Sequence, residues 1–173
     1  NDCRSMRRLA TAPCCASPIK LVLQQQGAVA NLRIERQSLR TAALGHDEVE
    51  LEVQAVGLNF RDLLIVLGEV PGNHQMATAG TDVAGITTAC GGQVLHLPKG
   101  GQCFGSTSGC FASCVRADSR TLWPKPKALS FEAATSLLAT WGTVHVAFGR
   151  LNVCSDERLV LHAAAGGVGL AAA

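Results

Sequence analysis

Three glycines near the end of the chain have the spacing of a phosphate-binding turn. Residues 159–161 (Leu-Val-Leu) form a short apolar run without polar alternation, which predicts a strand buried on both faces. Gly166, Gly167 and Gly169 follow, and then the helix-forming residues 170–173. Glycines in such a turn let backbone N–H groups approach a pyrophosphate and let the helix pack closely on the strand. The pattern therefore predicts the opening of a dinucleotide-binding βαβ unit.

The match to the G-x-G-x-x-G pattern is incomplete. Ala164 occupies the position of the first glycine, while Gly166 and Gly169 occupy the second and third. The alternative interpretation is a strand-to-helix turn in another kind of α/β protein. The sequence lacks further strands and the ribose-binding residue found about 20 positions after such a turn. We therefore expect the chain to be a fragment of a longer nucleotide-binding protein, and to be inactive alone.

Composition indicates a globular chain with one domain and part of another. Of its 173 residues, 47% are hydrophobic and 16% are charged, which argues against disorder. The net charge of +2 is too small to indicate nucleic-acid binding, and the early arginines (4, 7 and 8) fit a solvated linker. No apolar run is long enough to cross a membrane, and no secretory signal is visible. We expect a cytoplasmic protein that binds neither nucleic acid nor membrane.

The eight cysteines have irregular spacing. No C-x-x-C pair occurs, so the strong sequence signal for structural zinc is missing. Cys103, Cys110 and Cys114 form the only cluster, and they lie in a stretch that favours strands. Small buried thiols are the preferred interpretation of this cluster, with zinc as the alternative. Without a secretory signal, we expect reduced thiols.

Short strands dominate the first two thirds of the chain. Residues 1–18 show no periodicity and predict a linker or tail, whereas 19–23 and 30–36 predict two strands. The clearest strand alternates between apolar residues (Val49, Leu51, Val53, Ala55) and polar residues (Glu48, Glu50, Glu52, Gln54), as a half-solvated antiparallel strand does. Glycine turns then follow at short intervals, as in a small β barrel.

Helical spacing appears first after Asn59, which can cap the helix. Its predicted apolar face consists of Phe60, Leu63, Leu64 and Leu67. We interpret Arg61 and Asp62 as a solvated local pair rather than as catalytic groups. Ser130 predicts the cap of an alanine-rich helix, and a second helical stretch spans 143–151. The predicted order is an antiparallel β domain, linking helices and the start of a parallel α/β domain, with ligands expected between the domains.

Six motifs, in this order, resemble the enoylreductase domains of modular polyketide synthases. These domains belong to the medium-chain dehydrogenase/reductase superfamily and are related to quinone oxidoreductases. The resemblance covers about residues 19–173. The motifs are V-G-L-N-F-R-D (56–62), L-G-E-V-P-G (67–72), G-T-D-V-A-G (80–85), S-F-E-A-A-T (130–135), W-G-T-V-H (141–145) and H-A-A-A-G-G-V-G (162–169).

The resemblance implies a mixed α/β fold with a GroES-like antiparallel β barrel over 19–127. Linking helices over 128–157 and the first strand, turn and helix of a truncated Rossmann domain over 158–173 would follow. The implied reaction is NADPH-dependent reduction of the α,β double bond of an enoyl thioester carried on acyl carrier protein, next to other synthase domains. Hydride would reach the β-carbon and a proton the α-carbon, while hydrogen bonds stabilise the developing enolate.

The resemblance also assigns the cofactor contacts. Asn59 matches a position near the nicotinamide, although a plain helix cap is an equal alternative. Thr143 matches a threonine that contacts the cofactor. Thr140 is the alternative if the alignment is shifted, and an ordinary helix position without a cofactor contact is the other alternative for Thr143. Gly166, Gly167 and Gly169 match the NADPH-binding turn.

Two substitutions distinguish the chain within the superfamily. Zinc-dependent alcohol dehydrogenases have a cysteine where this chain has Asn59, and histidine-glutamate where it has Thr81-Asp82, so no zinc site is expected. His74 lies in a predicted loop and is interpreted as a surface residue. Val70 replaces a tyrosine proposed to donate the α-proton, and valine cannot donate a proton. The catalytic proton donor is therefore unknown.

Two other functions remain open. A free-standing, zinc-independent quinone oxidoreductase would keep the same glycine turn. A non-catalytic remnant or interaction domain would keep the β domain but would not bind NADPH.

Overall fold

A curled antiparallel sheet forms the body of the protein. We describe a computed structural model over residues 17–38, 42–70 and 79–173. The seven strands, in chain order, are β1 (Ile19–Leu23), β2 (Leu32–Arg36), β3 (Glu48–Gly57), β4 (Asp82–Cys90), β5 (Gln102–Ser106), β6 (Cys114–Asp118) and β7 (Leu122–Pro124). β1 and β2 form an antiparallel hairpin, and the other five form one sheet in the order β6-β3-β4-β5-β7.

The two edges of the five-stranded sheet lie close together. β6 and β7 are opposite edges, yet only the 3-10 turn Ser119–Thr121 joins them. A hydrogen bond from the Thr107 hydroxyl, just after β5, to the Arg116 carbonyl in β6 (3.3 Å) crosses between the two ends of the sheet. The sheet must therefore curve round on itself, as in a GroES-like domain. The mixed α/β fold class predicted from the sequence is confirmed.

The hairpin is attached to the main sheet through residues 111–113. Leu21 N–H donates to the Phe111 carbonyl (2.7 Å), and Ser113 N–H donates to the Ile19 carbonyl (2.7 Å). Val53 N–H in turn donates to the Ser113 carbonyl (2.9 Å). The first predicted strand has its predicted bounds, whereas the second begins at Leu32 because Val29–Asn31 form a 3-10 turn.

The core lies inside the curled sheet, and β3 faces it as predicted. Val49 and Leu51 are fully buried, while Glu52 is exposed. Glu50 is half-buried because it accepts a hydrogen bond from Arg116 Nε at 3.2 Å. The other buried members of this core are Val83, Leu97, Cys103, Cys110, Val115, Ala117 and Leu122.

The cysteines of the predicted cluster are free thiols. Cys103 and Cys110 are buried in the core, and Cys114 is half-buried. Burial raises the pKa of all three thiols, and that of Cys110 rises to about 12. Within the described ranges, no group of three or more His, Cys, Asp or Glu residues could hold a metal ion. The buried-thiol interpretation is thus confirmed for Cys103 and Cys110.

Within the described residues, four α-helices accompany the sheet: α1 (Phe60–Leu67), α2 (Phe131–Thr135), α3 (Gly142–Leu151) and α4 (Gly167–Ala172). Ser130 caps α2 as predicted, because its hydroxyl accepts the Ala133 N–H at 3.1 Å. A π-helical segment, Leu137–Trp141, separates α2 from α3. No helix in the described parts of the chain is long and apolar enough to cross a membrane.

The predicted apolar face of α1 is wrong. Phe60 is 73% exposed and Leu63 is 41% exposed, whereas Asp62, Ile65 and Val66 are buried. The helix is turned because the Asp62 carboxylate accepts backbone N–H groups inside the protein, as described below. Hydrophobic periodicity alone does not anticipate a buried carboxylate.

The predicted strand at 159–161 is also wrong in this structure. These residues are not in a strand, and Val160 is 85% exposed. A parallel strand forms only when neighbouring strands pair with its N–H and C=O groups, and none of the described residues do so here. The helix predicted after the glycine turn is present as α4.

The predicted linker 1–18 lies almost wholly outside the described residues, as do His74 and the Pro71-Gly72 break.

Candidate functional site

Asn59 connects the start of α1 to the start of β4. It occupies the N-cap position with extended backbone angles (φ −108°, ψ 152°). Its side-chain Nδ2 donates to Asp82 Oδ2 at 3.0 Å and to Thr81 Oγ1 at 3.3 Å. Asn59 thus occupies the cap position predicted for it, while its side chain bonds to the start of β4; its contact with the nicotinamide stays a prediction.

Asp62 is the main residue that sequence analysis misjudged. Its side chain is buried, with 4% of the residue exposed, so it does not form a solvated pair with the exposed Arg61. Asp62 Oδ2 accepts the Asn59 N–H and Oδ1 accepts the Gly80 N–H, both at 2.8 Å. An acidic residue three positions after an N-cap is a known helix-start signal, and it could have identified the first bond but not the second.

Asp82 is a second buried carboxylate beside Asp62. Burial raises the pKa of Asp82, the hydrogen bond from Asn59 lowers it, and the negative charge of Asp62 raises it further. Cys110 donates from Sγ to the Asp82 carbonyl oxygen at 3.4 Å. After burial, the charges of Asp62 and Asp82 are the next largest causes of the high pKa of Cys110. The two carboxylates are therefore sheltered from water.

The side chains that the resemblance aligns with the zinc ligands of alcohol dehydrogenases form a hydrogen-bond network here. Asn59 and Thr81 replace thiolate and imidazole ligands, and the Asn59 amide donates to both Thr81 and Asp82. An amide nitrogen that donates protons is a poor zinc ligand, so these side chains do not fit a catalytic zinc ion.

The glycine turn, residues 163–169, lies at the surface and includes the start of α4. Ala163 has a left-handed backbone (φ 53°), and the Gly166 N–H donates to its carbonyl at 2.9 Å. A Cβ on Gly169 would lie 2.5 Å from the Ala163 oxygen and from the Ala164 Cα. Only glycine therefore allows this helix to fold back on its own turn.

Gly166 and Gly167 differ from Gly169. A Cβ on Gly166 would meet only the Ala163 oxygen, at 3.3 Å, and a Cβ on Gly167 would meet only Thr140 Cγ2, at 3.3 Å. Neither residue has a positive φ, and both are exposed. The packing of the chain does not itself require glycine at these two positions.

Thr140, in the π-helical segment, is the threonine that lies against the glycine turn. Its methyl group borders Gly167, and its hydroxyl donates to the Ser136 carbonyl. Thr143, one turn later, is exposed and donates to the Ala139 carbonyl. Sequence periodicity did not predict this π-helical segment. Such segments are frequent at functional sites.

The helical segment after Ser130 connects the β domain to the glycine turn. A Cβ on Gly57 would lie 3.0 Å from Asp82 Cβ and 3.1 Å from the Thr135 carbonyl, so the end of β3 contacts α2 closely. The π-helical segment follows α2 directly and contacts α4. The Asn59–Asp82 network and the glycine turn thus belong to one continuous set of packed elements.

Val70 follows the C-terminus of α1. Gly68 ends this helix in a left-handed conformation (φ 78°), with the Glu69 N–H bonded to the Leu64 carbonyl at 2.9 Å. Val70 itself is half-buried, and its side chain carries no group that can donate a proton.

Comparison with known proteins shows what the chain resembles. The alcohol dehydrogenase GroES-like domain matches residues 45–127. The chain is 40% identical over 139 residues to the pikromycin polyketide synthase component PikAII of Streptomyces venezuelae, covering 80% of this chain and 4% of that protein.

Two solved structures have the same fold. The CurK enoyl reductase is 33% identical with a TM-score of 0.80, and 90% of this chain covers 50% of it. A mycobacterial protein complexed with NADPH is 26% identical with a TM-score of 0.78, and 90% of this chain covers 48% of it. The chain thus spans about half of each of these structures. Residues 45–127 thus form an alcohol dehydrogenase GroES-like domain, and the chain is similar to polyketide synthases and to a solved enoyl reductase.

Proposed function

We propose that this chain supplies the β domain and the first nucleotide-binding elements of an NADPH-dependent enoyl reductase. The substrate is the α,β double bond of an enoyl thioester on acyl carrier protein, within a polyketide synthase. The relationship to polyketide synthases and to a solved enoyl reductase supports this assignment. NADPH is proposed from the family resemblance and from a solved relative that binds it.

The observation that carries the proposal is the contrast among the three glycines. Gly169 is explained by the chain's own packing, because its Cβ would overlap the backbone at 2.5 Å. Gly166 and Gly167 are exposed and meet single atoms at 3.3 Å, so their lack of a side chain leaves free surface beside the turn. The first N–H groups of a helix have no partner within the helix, so they are available to a pyrophosphate there. The residues present therefore fit a dinucleotide.

The chain's own groups have three tasks in this proposal. Gly166 and Gly167 admit the pyrophosphate, and Thr140 supports the turn from the adjacent segment. The Asn59–Thr81–Asp82 network holds the edge of the β domain near the nicotinamide and provides a surface with limited access to water. NADPH, when bound, supplies the hydride that reaches the β-carbon of the enoyl group.

The proton for the α-carbon comes from a group other than residue 70. Addition of a hydride to the β-carbon leaves an enolate, which takes up one proton at the α-carbon and regains the thioester carbonyl. Val70 cannot supply that proton. We assign the donor to water or to another group.

The test is NADPH oxidation by the full-length protein that carries this chain. We expect loss of NADPH absorbance with an enoyl thioester, and no loss with the matched saturated thioester. Oxidation supported by quinones but not by enoyl thioesters would identify a quinone oxidoreductase instead. No NADPH binding would contradict both enzymes and favour a non-catalytic remnant.

A further inference from the structure

Asp62 joins two segments that carry the proposed site. Its Oδ2 accepts the Asn59 N–H at the start of α1, and its Oδ1 accepts the Gly80 N–H before β4, each at 2.8 Å. A helix cap needs only the first of these bonds. The second reaches 18 residues along the chain, so it fixes the two segments relative to each other.

Gly80 is constrained on its other side as well. Its carbonyl accepts the Gly109 N–H at 2.9 Å and the Cys110 N–H at 3.3 Å. Its φ of +90° and the Phe111 nitrogen, 3.0 Å from where a Cβ would lie, leave no room for a side chain. Asp62 is therefore tied through Gly80 to a backbone that cannot easily shift.

Burial of the Asp62 carboxylate costs free energy, which its hydrogen bonds must offset. Only 4% of the residue is exposed, and it has no ion pair in the described part of the chain. The buried Asp82 carboxylate lies close enough for its pKa to be raised by the charge of Asp62. An apolar residue at position 62 would pack in α1 without these two costs. An apolar side chain could not, however, accept hydrogen bonds from the Asn59 and Gly80 N–H groups.

The two bonds determine where the Asn59 side chain lies. Asp62 holds the Asn59 backbone on one side and Gly80 on the other, and residues 81 and 82 follow Gly80 directly. The Asn59 amide then bonds to Thr81 and Asp82 at 3.3 and 3.0 Å. Loss of the Asp62 bonds would free both ends of this short network.

We propose that Asp62 is a positioning residue of the reductase, acting through Asn59 by holding α1 and the start of β4 together. This inference rests on the proposed function, since it assigns Asp62 a role in the same site. Asp62 does not itself contact the reacting atoms. Its effect on the reaction passes through the orientation of Asn59.

The test is a double-mutant cycle in the full-length protein, with Asp62→Asn, Asn59→Ala and both together. Asparagine keeps one acceptor oxygen but places an N–H group against the second backbone N–H. We expect each single variant to lower kcat about tenfold. We expect the double variant to be no slower than Asn59→Ala, because Asp62 acts through Asn59. The unfolding temperature, in contrast, should fall for Asp62→Asn in both backgrounds.

Asp118→Asn is the matched control. Asp118 also accepts a backbone N–H, from Arg120 at 2.9 Å, but it lies at the end of β6 and outside the site. We expect its kcat to equal that of the wild type.

Several results would overturn the inference. Multiplicative losses of kcat in the double variant, or wild-type kcat in Asp62→Asn, would assign Asp62 a structural role only. If Asp62→Asn does not fold, Asp62→Ser is measured instead, because its single oxygen replaces the two carboxylate oxygens, and a wild-type kcat in that folded variant contradicts the inference. A wild type that oxidises no NADPH would overturn the proposed function and this role with it, whereas an active wild type with multiplicative losses of kcat overturns this role alone.

Discussion

Alanine at Gly169 should weaken folding, whereas alanine at Gly167 should weaken cofactor binding. A Cβ on Gly169 would lie 2.5 Å from the Ala163 oxygen and from the Ala164 Cα, where ordinary contact begins at 3.4 Å. The turn would have to open by about 0.9 Å, and backbone atoms cannot rotate away. Overpacking of this kind costs about 1–3 kcal/mol. We expect Gly169→Ala to lower the free energy of unfolding by that amount.

Gly167→Ala should leave stability nearly unchanged. Its Cβ would meet only the Thr140 methyl group, at 3.3 Å, and this side chain can yield by a few tenths of an ångström. Alanine is also a better helix former than glycine at the start of α4. The added methyl group does, however, occupy the surface proposed for the pyrophosphate. We expect NADPH affinity to fall about tenfold or more, corresponding to about 1.4 kcal/mol or more of binding free energy.

The assays are chemical denaturation and NADPH titration of the full-length protein, with Gly92→Ala as the matched control. No heavy atom lies within 4 Å of a Cβ at Gly92, so neither quantity should change. A Gly169→Ala variant as stable as the control would refute the packing argument. A Gly167→Ala variant that binds NADPH as tightly as wild type would refute the placement of the pyrophosphate.

Three further predictions concern ionisation, reactivity and stereochemistry. Cys154 is exposed and should be alkylated near neutral pH, whereas buried Cys110, with a pKa of about 12, should stay unmodified in peptide maps. Asp82→Asn should stabilise the fold near neutral pH, as measured by denaturation. Because the pKa of Asp82 is raised in the folded protein, the stability that its protonated carboxyl contributes is lost as the pH rises through that pKa. The difference in the free energy of unfolding between wild type and Asp82→Asn should vanish below pH 3.8. For an α-branched enoyl substrate, Val70→Tyr should change the α-carbon configuration of the product, by chiral chromatography, because tyrosine adds a proton donor. Alkylation of native Cys110, equal stabilities near neutral pH, or an unchanged configuration would contradict the respective prediction.

Features set by neighbouring residues could be predicted from the sequence. The Ser130 cap needs only the N–H of Ala133, three residues later, and β1 was predicted with its observed bounds, Ile19–Leu23. The alternation in β3 also identified Val49 and Leu51 as core residues. In each case, the chemistry that decides the structure lies within a few positions of the chain.

Features set by distant residues could not be predicted. The orientation of α1 depends on Asp62 accepting the Gly80 N–H, a contact that no local pattern encodes. Residues 159–161 have the composition of a strand, but a strand needs partners, and pairing is a property of the whole sheet. The π-helical segment that brings Thr140 to Gly167 likewise depends on packing between separate elements. The assignments of Asn59, Thr143 and the glycines to a cofactor site remain predictions.

The most direct test of the proposed function follows the hydride. The full-length protein is incubated with an enoyl thioester and NADPH that carries deuterium at the transferred position of the nicotinamide, and the product is analysed by mass spectrometry and NMR. Hydride transfer predicts one deuterium at the β-carbon of the saturated thioester and an α-proton from solvent. Unlabelled product, deuterium at the α-carbon, or no reduction of the double bond would contradict it.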